Sequence, residues 1–488
     1  MKNLAALCAT LLLSACTLGP DFVPPEAHTT ASFTGLGDVS LSGDQKPALG
    51  QPADSEWWKQ FQSPALDALI AKAALGNRDL AAARAHLVQS QEDVKAAEGA
   101  LLPQIALGAA IGGQNYSVGL RTPLTVTLPA FAYYAVQPTV SFPLDLFGGG
   151  KRGVERDAAF ADYQHHELEA VTLSLFANVA SQALENAGAR AQITNLEDIV
   201  KDDERNVTLV QDALDAGSAT RTQLLSVQSQ LATDRTLLPD FRQQEAISRH
   251  ALAILAGQPP AGWIMPDLAL DGFTLPPEIP VSLPSGLIRQ RPDILAAEAE
   301  LHMASAAIGI ATANLYPQIT LSAALTRQAL TPGSLFSGSP DIWNIAAGLT
   351  QPLFNGGALS AERRAAIDAY QGALADYEKT VLASFGEVAD NLQALANDAE
   401  KVIAEKEAEQ TSAAALDLAR RSYAVGNSGI LDVIDAERRY AEAKLGSSRA
   451  AEQRLLHTVQ LYVSLGGVKI PAEGGAMDSE AGKPCCNY

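Results

Sequence analysis

Cysteine is nearly absent from this chain of 488 residues: there are four, and two of them, Cys485 and Cys486, stand side by side near its end. Such a set offers neither a disulfide framework nor the spacing of a metal site, so neither holds the fold together. Charge is thin as well, 18% against about 25% in ordinary soluble proteins. What charge there is leans acidic, 55 residues against 35 basic ones, which excludes nucleic acid as a partner because a phosphate backbone calls for a positive surface. Past the first residues no stretch offers eighteen apolar residues in a row. If the chain enters a bilayer it must do so with strands.

Catalytic signatures are missing too. There is no H-E-x-x-H, no G-x-S-x-G and no nucleophile set beside a base. Gly148 to Gly153 matches G-x-G-x-x-G, with Glu167 and Glu169 about twenty residues on. A dinucleotide site needs that acid at the end of a second strand, whereas here it falls within a long helical stretch. The glycines are read as an elbow between a strand and a helix. His165 and His166 are neighbours on different helix faces with no further ligand pattern, and no metal is expected. The chain is therefore not expected to be an enzyme.

Residues 1–15 read as a lipoprotein signal peptide, with Lys2 for positive charge, Leu4 to Leu13 as the apolar run and Leu13-Ser14-Ala15-Cys16 as the cleavage region. The run is too short to span about 30 Å of hydrocarbon. Cys16 is the expected attachment point of an N-palmitoyl and S-diacylglycerol lipid, and no other cofactor is expected. Processing there leaves 34 basic against 55 acidic residues, a balance of −21, since Lys2 departs with the signal. Residues 16–62 form the expected lipid-anchored segment. The stretch 471–488, rich in Gly, Pro, Ser and charge, reads as a disordered tail.

What is present is a sequence written twice. Asp79-Leu80 leads through an Ala-rich stretch to Leu102-Pro103-Gln104-Ile105, and Asp293-Ile294 leads to Tyr316-Pro317-Gln318-Ile319, 214 residues later at both ends. Phe147-Gly148-Gly149 precedes a helical stretch containing Tyr163-Gln164, as Phe354-Asn355-Gly356-Gly357 precedes one containing Tyr370-Gln371. Gly217 before Leu224-Leu225 matches Gly426 before Val433-Ile434 at an offset of 209. Four landmarks in one order mark an internal duplication. The expected repeats are 63–260, with strands near 103–117 and 132–146 and a helical hairpin near 150–257, and 261–470, with strands near 317–328 and 341–353 and a hairpin near 357–466.

Each expected strand alternates. Ile105, Leu107, Ala109 and Ile111 interleave with Gln104, Ala106, Gly108 and Ala110, and Trp343, Ile345, Ala347 and Leu349 with Asn344, Ala346, Gly348 and Thr350. One apolar and one small or polar face suits a strand between lipid and water, though a half-buried soluble sheet has the same pattern. Phe131, Tyr133, Tyr134, Phe336 and Trp343 near the loop ends, with Phe147, Tyr316 and Phe354 near the helix ends, fit two interfacial girdles. No proline falls between Pro143 and Pro239 or between Pro352 and Pro471, and apolar residues recur at three and four, as at Leu374, Tyr377, Val381, Phe385 and Val388. A helix from Gly150 to Gly217 would be on the order of 100 Å long at 1.5 Å per residue. Four strands cannot close a barrel in lipid, because two edges would stay unpaired. Several chains must share one; three give twelve strands, and two or four would also satisfy the arithmetic.

These motifs resemble the outer-membrane factor family, the TolC-like channels of tripartite efflux systems, and especially its lipoprotein branch paired with resistance-nodulation-division pumps. The signatures are Cys16 through Gly19-Pro20-Asp21-Phe22, Trp57-Trp58, Pro143 to Gly149, Leu255-Ala256-Gly257-Gln258-Pro259, Leu283-Pro284 through Arg291-Pro292-Asp293-Ile294, Pro352-Leu353-Phe354, and Gly426 through Leu431 to Ala436. The resemblance implies an internally duplicated α+β membrane protein. Its fold would be a homotrimeric twelve-stranded outer-membrane β-barrel, four strands per chain, continued by a long α-helical periplasmic barrel. It implies a periplasmic adaptor (membrane fusion) protein and an inner-membrane resistance-nodulation-division transporter as partners, beside outer-membrane lipid, and a role in multidrug resistance. A gate at the second hairpin turn would carry Leu431, Asp432 and Asp435. A ring of leucines excludes water and a ring of carboxylates excludes ions by charge, while the competing role for the two aspartates is to favour the start of a helix. Gly217, Ser218 and Arg221 in the first turn, with Gly426, Asn427 and Gly429 in the second, are the expected adaptor contacts. The rival reading is a periplasmic adaptor or a structural coiled-coil surface lipoprotein; an adaptor calls for one hairpin flanked by compact β domains, where this chain has two hairpins and four alternating strands.

Overall fold

The computed structural model describes residues 17–26, 32–33, 45–51, 53–115, 117–119, 125–127, 129–337 and 341–467. The expected signal peptide, Cys16, and the expected tail with Cys485 and Cys486 lie outside the described residues. In chain order the first half gives β1 (Lys46–Leu49), α1 (Pro64–Gly76), α2 (Arg78–Ala100), β2 (Gln104–Gln114), the short β3 (Ser117–Gly119) and β4 (Thr125–Thr127), β5 (Phe131–Leu144), α3 (Gly149–Asp215), α4 (Arg221–Arg235) and α5 (Leu238–Leu255). The second half gives β6 (Glu278–Val281), the single turn α6 (Pro284–Leu287), α7 (Pro292–Ala313), β7 (Gln318–Ala329), β8 (Asp341–Thr350), α8 (Ala358–Ala424) and α9 (Ile430–Leu465). Both α3 and α8 run for 67 residues, so the duplication extends to helix length. By contact the chain divides into two units, one within Met1–Pro25, His86–Gln164 and Ala296–Glu378, the other within Glu26–Ala85, His165–Leu295 and Lys379–Tyr488.

The first unit is built on a sheet of order β2-β5-β7-β8, antiparallel throughout. Its register sets Ile105 opposite Val140, Val140 opposite Ala323 and Ala323 opposite Ile345, so the large apolar residues of all four strands share one face. Gln104, Ser141, Ser322 and Ala346 share the other. Ile105, Leu107 and Ile111 are 78%, 74% and 77% exposed, which no soluble sheet tolerates in a row and which hydrocarbon accommodates. Arg327 pairs with Asp341 at the loop end of β7 and β8. β8 stops at Thr350, short of the expected 353, because Pro352 has no N–H to continue the ladder.

Where β5 gives way to α3, Gly148 turns through a positive φ of +75° and Asp145 accepts from the N–H of Gly150 (3.0 Å) and of Lys151 (2.7 Å). Those carboxylate contacts satisfy two donors that the helix start leaves orphaned. Residues 17–22 lie along this elbow: Leu18 N–H donates to Phe147 O (3.1 Å), and the buried Arg152 donates to Leu18 O (3.2 Å) and Asp21 (2.8 Å). Phe22 stacks on His302, with ring centroids 4.3 Å apart. The Gly19-Pro20-Asp21-Phe22 signature is therefore a strap held by one arginine.

The second unit packs Trp57, wholly buried, against Tyr462, and Trp58 against Phe176. β1 and β6 form a parallel pair that the sequence did not suggest. Each copy joins its short helix to the end of its returning helix. Asn77 donates to Leu255 O at 3.1 Å, and Arg291 donates to Ser464 O at 2.9 Å. The return limb of the hairpin expected near 150–257 is broken between α4 and α5. Pro239 sits at the second position of α5, where its missing N–H costs nothing, and it excludes α4 from running on.

Candidate gate at the hairpin turns

Both long helices end with one backbone device. Gly217 and Gly426 take φ of +75° and +77°, the left-handed conformation that favours glycine after a helix. Ser218 N–H donates to Ala213 O at 2.8 Å and Asn427 N–H to Ser422 O at 2.9 Å, the six-to-one bond of a Schellman turn. Gly217, Ser218, Arg221, Gly426, Asn427 and Gly429 are all exposed, as contact with another protein would require. Exposed Val425 extends the second turn with an apolar side chain.

The residues that open the next helix differ. Thr220 caps α4 through a reciprocal box: its hydroxyl accepts from Gln223 N–H (3.3 Å), and the Gln223 side chain accepts from Thr220 N–H (2.7 Å). At the matching place Gly429 has no side chain, so only the returning half remains. Asp432 accepts from Gly429 N–H at 2.9 Å. Asp432 thus occupies the position of Gln223 and closes the turn.

Beyond the cap, Ile430 and Ile434 pack against Val210, Leu224 and Val227, and Val433 is buried. This fixes the rotation of α9. Leu431, Asp435 and Arg439, spaced by four, share a different and exposed stripe. Leu431 is 42% exposed, and Asp435 pairs with Arg439 at 2.8 Å. The three expected gate residues are therefore divided by the structure: Leu431 and Asp435 project together, while the Asp432 carboxylate folds back on the turn.

Sequence reasoning missed the groups that tie the two hairpins together. Glu437 accepts from Asn206 of α3 at 2.6 Å and from Arg420 of α8 at 2.7 Å, and Arg420 also lies 3.6 Å from Asp202. Beside them is a cavity of about 250 Å³ lined by Asp203, Asp234, Leu237, Leu416, Glu437 and Tyr440 among others. Burial first, then the neighbouring Asp234, push the Asp203 carboxyl up to about 7. Farther along α9, Glu452 is pressed against Gly188, where a Cβ would fall 2.2 Å from its carboxyl carbon, and it accepts from Gln192 at 3.0 Å. Burial, with Glu185 adding repulsion, raises it to about 7. Nothing in the residue spacing brings Asp203 to Asp234, since the rotation of two helices decides it. Arg439 was within reach of an i, i+4 reading from Asp435.

Among the described residues no cluster of His, Cys, Asp and Glu is arranged to hold a metal ion. His165 and His166 both face Glu169, at 3.6 and 2.9 Å. The glycines at 148–153 serve the elbow described above.

The sequence profile of the family described as outer membrane efflux protein matches residues 69–258 and 283–467. The chain is 30% identical over 477 residues to the pyoverdine export outer membrane protein OpmQ of Pseudomonas aeruginosa, covering 96% of this chain and 97% of that one. It is 26% identical to the probable outer membrane lipoprotein SilC of Salmonella typhimurium, over 95% of this chain and 98% of that one. The solved structure of the outer-membrane channel OprN superposes with a TM-score of 0.83 at 26% identity, over 93% of this chain and all of that one.

Proposed function

Because the chain belongs to the outer membrane efflux protein family, we propose that it forms a homotrimeric exit duct whose periplasmic mouth is gated by Leu431 and Asp435. The coarser statement is plain: the protein is an outer-membrane efflux channel with a periplasmic helical extension, and it is not an enzyme. The observation that carries the finer reading is the four-stranded sheet with one continuous apolar face and an open edge on both β2 and β8. In lipid those edges must be paired, and three chains supply twelve strands. Repeats 63–260 and 261–470 are the units of that duct, in keeping with the two stretches matched by the family profile.

At the mouth, three copies of Leu431 form an apolar constriction and three copies of Asp435, each answered by Arg439, form a charged ring above or below it. Asp432 is assigned to the cap. Splaying of the second hairpin would open the mouth, since the α8–α9 turn meets the first hairpin chiefly through Ile430, Ile434 and Glu437. The exposed turns at Gly217, Ser218, Arg221, Gly426, Asn427 and Gly429 are where a periplasmic adaptor docks, and an inner-membrane proton-driven transporter of the resistance-nodulation-division class delivers the cargo. A lipid on Cys16 anchors the segment 16–62. The likeness to a named lipoprotein and the strap at residues 17–22 support that anchor.

The test is conductance of the purified protein in a planar bilayer. Asp435→Ala raises it, and an unchanged conductance would remove Asp435 from the gate.

A further inference from the structure

The cavity of about 250 Å³ beside Glu437 lies at the break in the first return limb, bounded also by α3, α8 and α9. Gln230 and Asp234 line it from the end of α4 and Leu237 from the break itself. Leu196 and Ile199 of α3, Leu416 of α8 and Leu445 of α9 give it hydrocarbon walls. Its charges do not balance. Glu437 and Asp202 share Arg420, Asp198 lies 3.6 Å from Lys444, and Glu442 lies 3.3 Å from Arg438. That leaves Asp203 and Asp234 without a cation. Asp234 accepts from the Gln230 amide at 2.8 Å, whereas Asp203 Oδ2 is shut from water with no N–H to accept from. The charges that act on Asp203 from α3, α4 and α9 are Asp202, Asp234 and Glu437, all acidic.

The second copy shows that the hairpin does not need this pair. At the offset of 209, Asp203 and Asp234 match Ser412 and Ala443, and α9 passes through that position without a break, 36 residues in one helix. Two shielded carboxyls set against one another cost stability unless a proton or a cation answers them. A costly pair that the other copy folds without marks a site rather than a joint. We propose that the cavity binds a small organic cation, an amine whose ammonium group lies between Asp203 and Asp234 and whose hydrocarbon lies among Leu196, Ile199, Leu416 and Leu445. A divalent metal ion does not suit it, since such an ion asks for about six oxygen ligands and the walls are leucine and isoleucine. The volume falls below the roughly 300 to 1,000 Å³ of pockets for drug-sized molecules, so the amine is a small one. On binding, the ammonium donates N–H to both carboxylates, and the proton that Asp203 holds leaves to solvent. Burial and the neighbouring Asp234 keep that proton in place up to about pH 7. The amine competes with it, and binding tightens as the pH rises from 6 to 8.

The experiment is calorimetric titration of the full-length protein, purified from membranes in detergent, with cyclohexylamine, which stays protonated across this range, and with cyclohexanol as its uncharged match. One amine per chain is expected, bound about tenfold more tightly at pH 8 than at pH 6. Binding releases a proton, read as a dependence of the heat on the buffer's ionisation enthalpy. Cyclohexanol binds more weakly by about tenfold or more, since it leaves the two carboxyls unanswered. Asp203→Asn and Asp234→Asn each weaken the amine by about tenfold or more and remove the pH dependence. Asp271→Asn, an exposed acid outside the cavity, changes neither. Leu237→Trp fills the cavity from the break, keeps both acids and abolishes binding, so the site is decided even where an aspartate variant fails to fold. No uptake of cyclohexylamine at pH 8, the outcome of a carboxyl pair with a purely structural role, would overturn the proposal. So would equal binding of cyclohexanol, or binding that survives Leu237→Trp.

Discussion

The two copies build the same joints with different chemistry. The carbonyl of Leu255 and that of Ser464 are matched at an offset of 209, and each receives a bond from the residue that precedes its copy's short helix. In the first copy the donor is the Asn77 amide, and in the second it is the Arg291 guanidinium, which also binds Asp293 at 2.7 Å and Glu387 at 2.8 Å. The hairpin turns repeat the lesson. Gly217 and Gly426 share one conformation, while Thr222 and Ser226 stand where Leu431 and Asp435 stand. The backbone device is set by turn geometry and tolerates almost any side chain on the outward stripe, so the stripe is free to acquire a task.

If that freedom is where the gate arose, exchanging the stripes should separate the copies. Leu431→Thr with Asp435→Ser gives the second turn the first turn's residues, and conductance in a planar bilayer should rise by about tenfold or more as both the apolar and the charged ring are lost. Thr222→Leu with Ser226→Asp makes the reverse exchange and should leave conductance within about twofold. A response to the second exchange as large as to the first would mean that both hairpins gate.

The joint between short and returning helix gives the next largest contrast. Arg291→Ala withdraws a charged donor from the Ser464 carbonyl and should cost about 1.5–3 kcal/mol. Its ion pairs add little, since Asp293 and Glu387 are 43% and 57% exposed and screened by water. Asn77→Ala loses the Leu255 contact and a helix cap at Leu80 N–H, worth about 1 kcal/mol. Thermal midpoints at one scan rate should fall in that order, and equal losses would show the two joints to be energetically alike. The Arg291-Pro292-Asp293 motif was visible in the sequence, yet its partner carbonyl was not, because 173 residues separate them. What period and turn chemistry govern was legible: the duplication, the faces of β2 and β8, and the two long helices. The parallel pair of β1 and β6 was not, since four residues with a proline in each strand carry no period. Nor was the break at Pro239 anticipated, because a proline in a helix's first turn and one inside a helix look alike until the helix start is known.

Acidity offers a third way to sharpen the comparison, because burial raises two carboxyls where the hairpins meet, Asp203 and Glu452, to about 7. Glu452 is raised to about 7, against a usual value near 4.5. Below about 4.5 folded and unfolded chains both hold that proton. Between there and about 7 only the folded chain does, so stability falls as pH rises through this window and the contribution is gone above it. The thermal midpoint should drop by a few degrees from pH 5 to pH 8. Glu452→Gln preserves an acceptor for Gln192 and should flatten the slope, leaving the part due to Asp203. A slope unchanged by Glu452→Gln would place the titration elsewhere in the molecule.

The smallest expected effect is the most discriminating for the assignment of roles at the turn. Asp432 and Gln223 hold equivalent positions, and each binds the N–H of the residue that opens its helix. If closing the turn is all that Asp432 does, Asp432→Ala and Gln223→Ala should each cost about 0.5–1 kcal/mol, the loss of half a capping box, and neither should move conductance. The glycine at 429 makes the second cap the weaker one, since no hydroxyl returns the bond, and Gly429→Thr should restore the box and offset part of that cost. A rise in conductance with Asp432→Ala that Gly429→Thr does not reverse would mean that its charge faces the duct after all. The ring would then comprise two carboxylates per chain, and the division of the second turn into one residue that closes it and two that block it would fail.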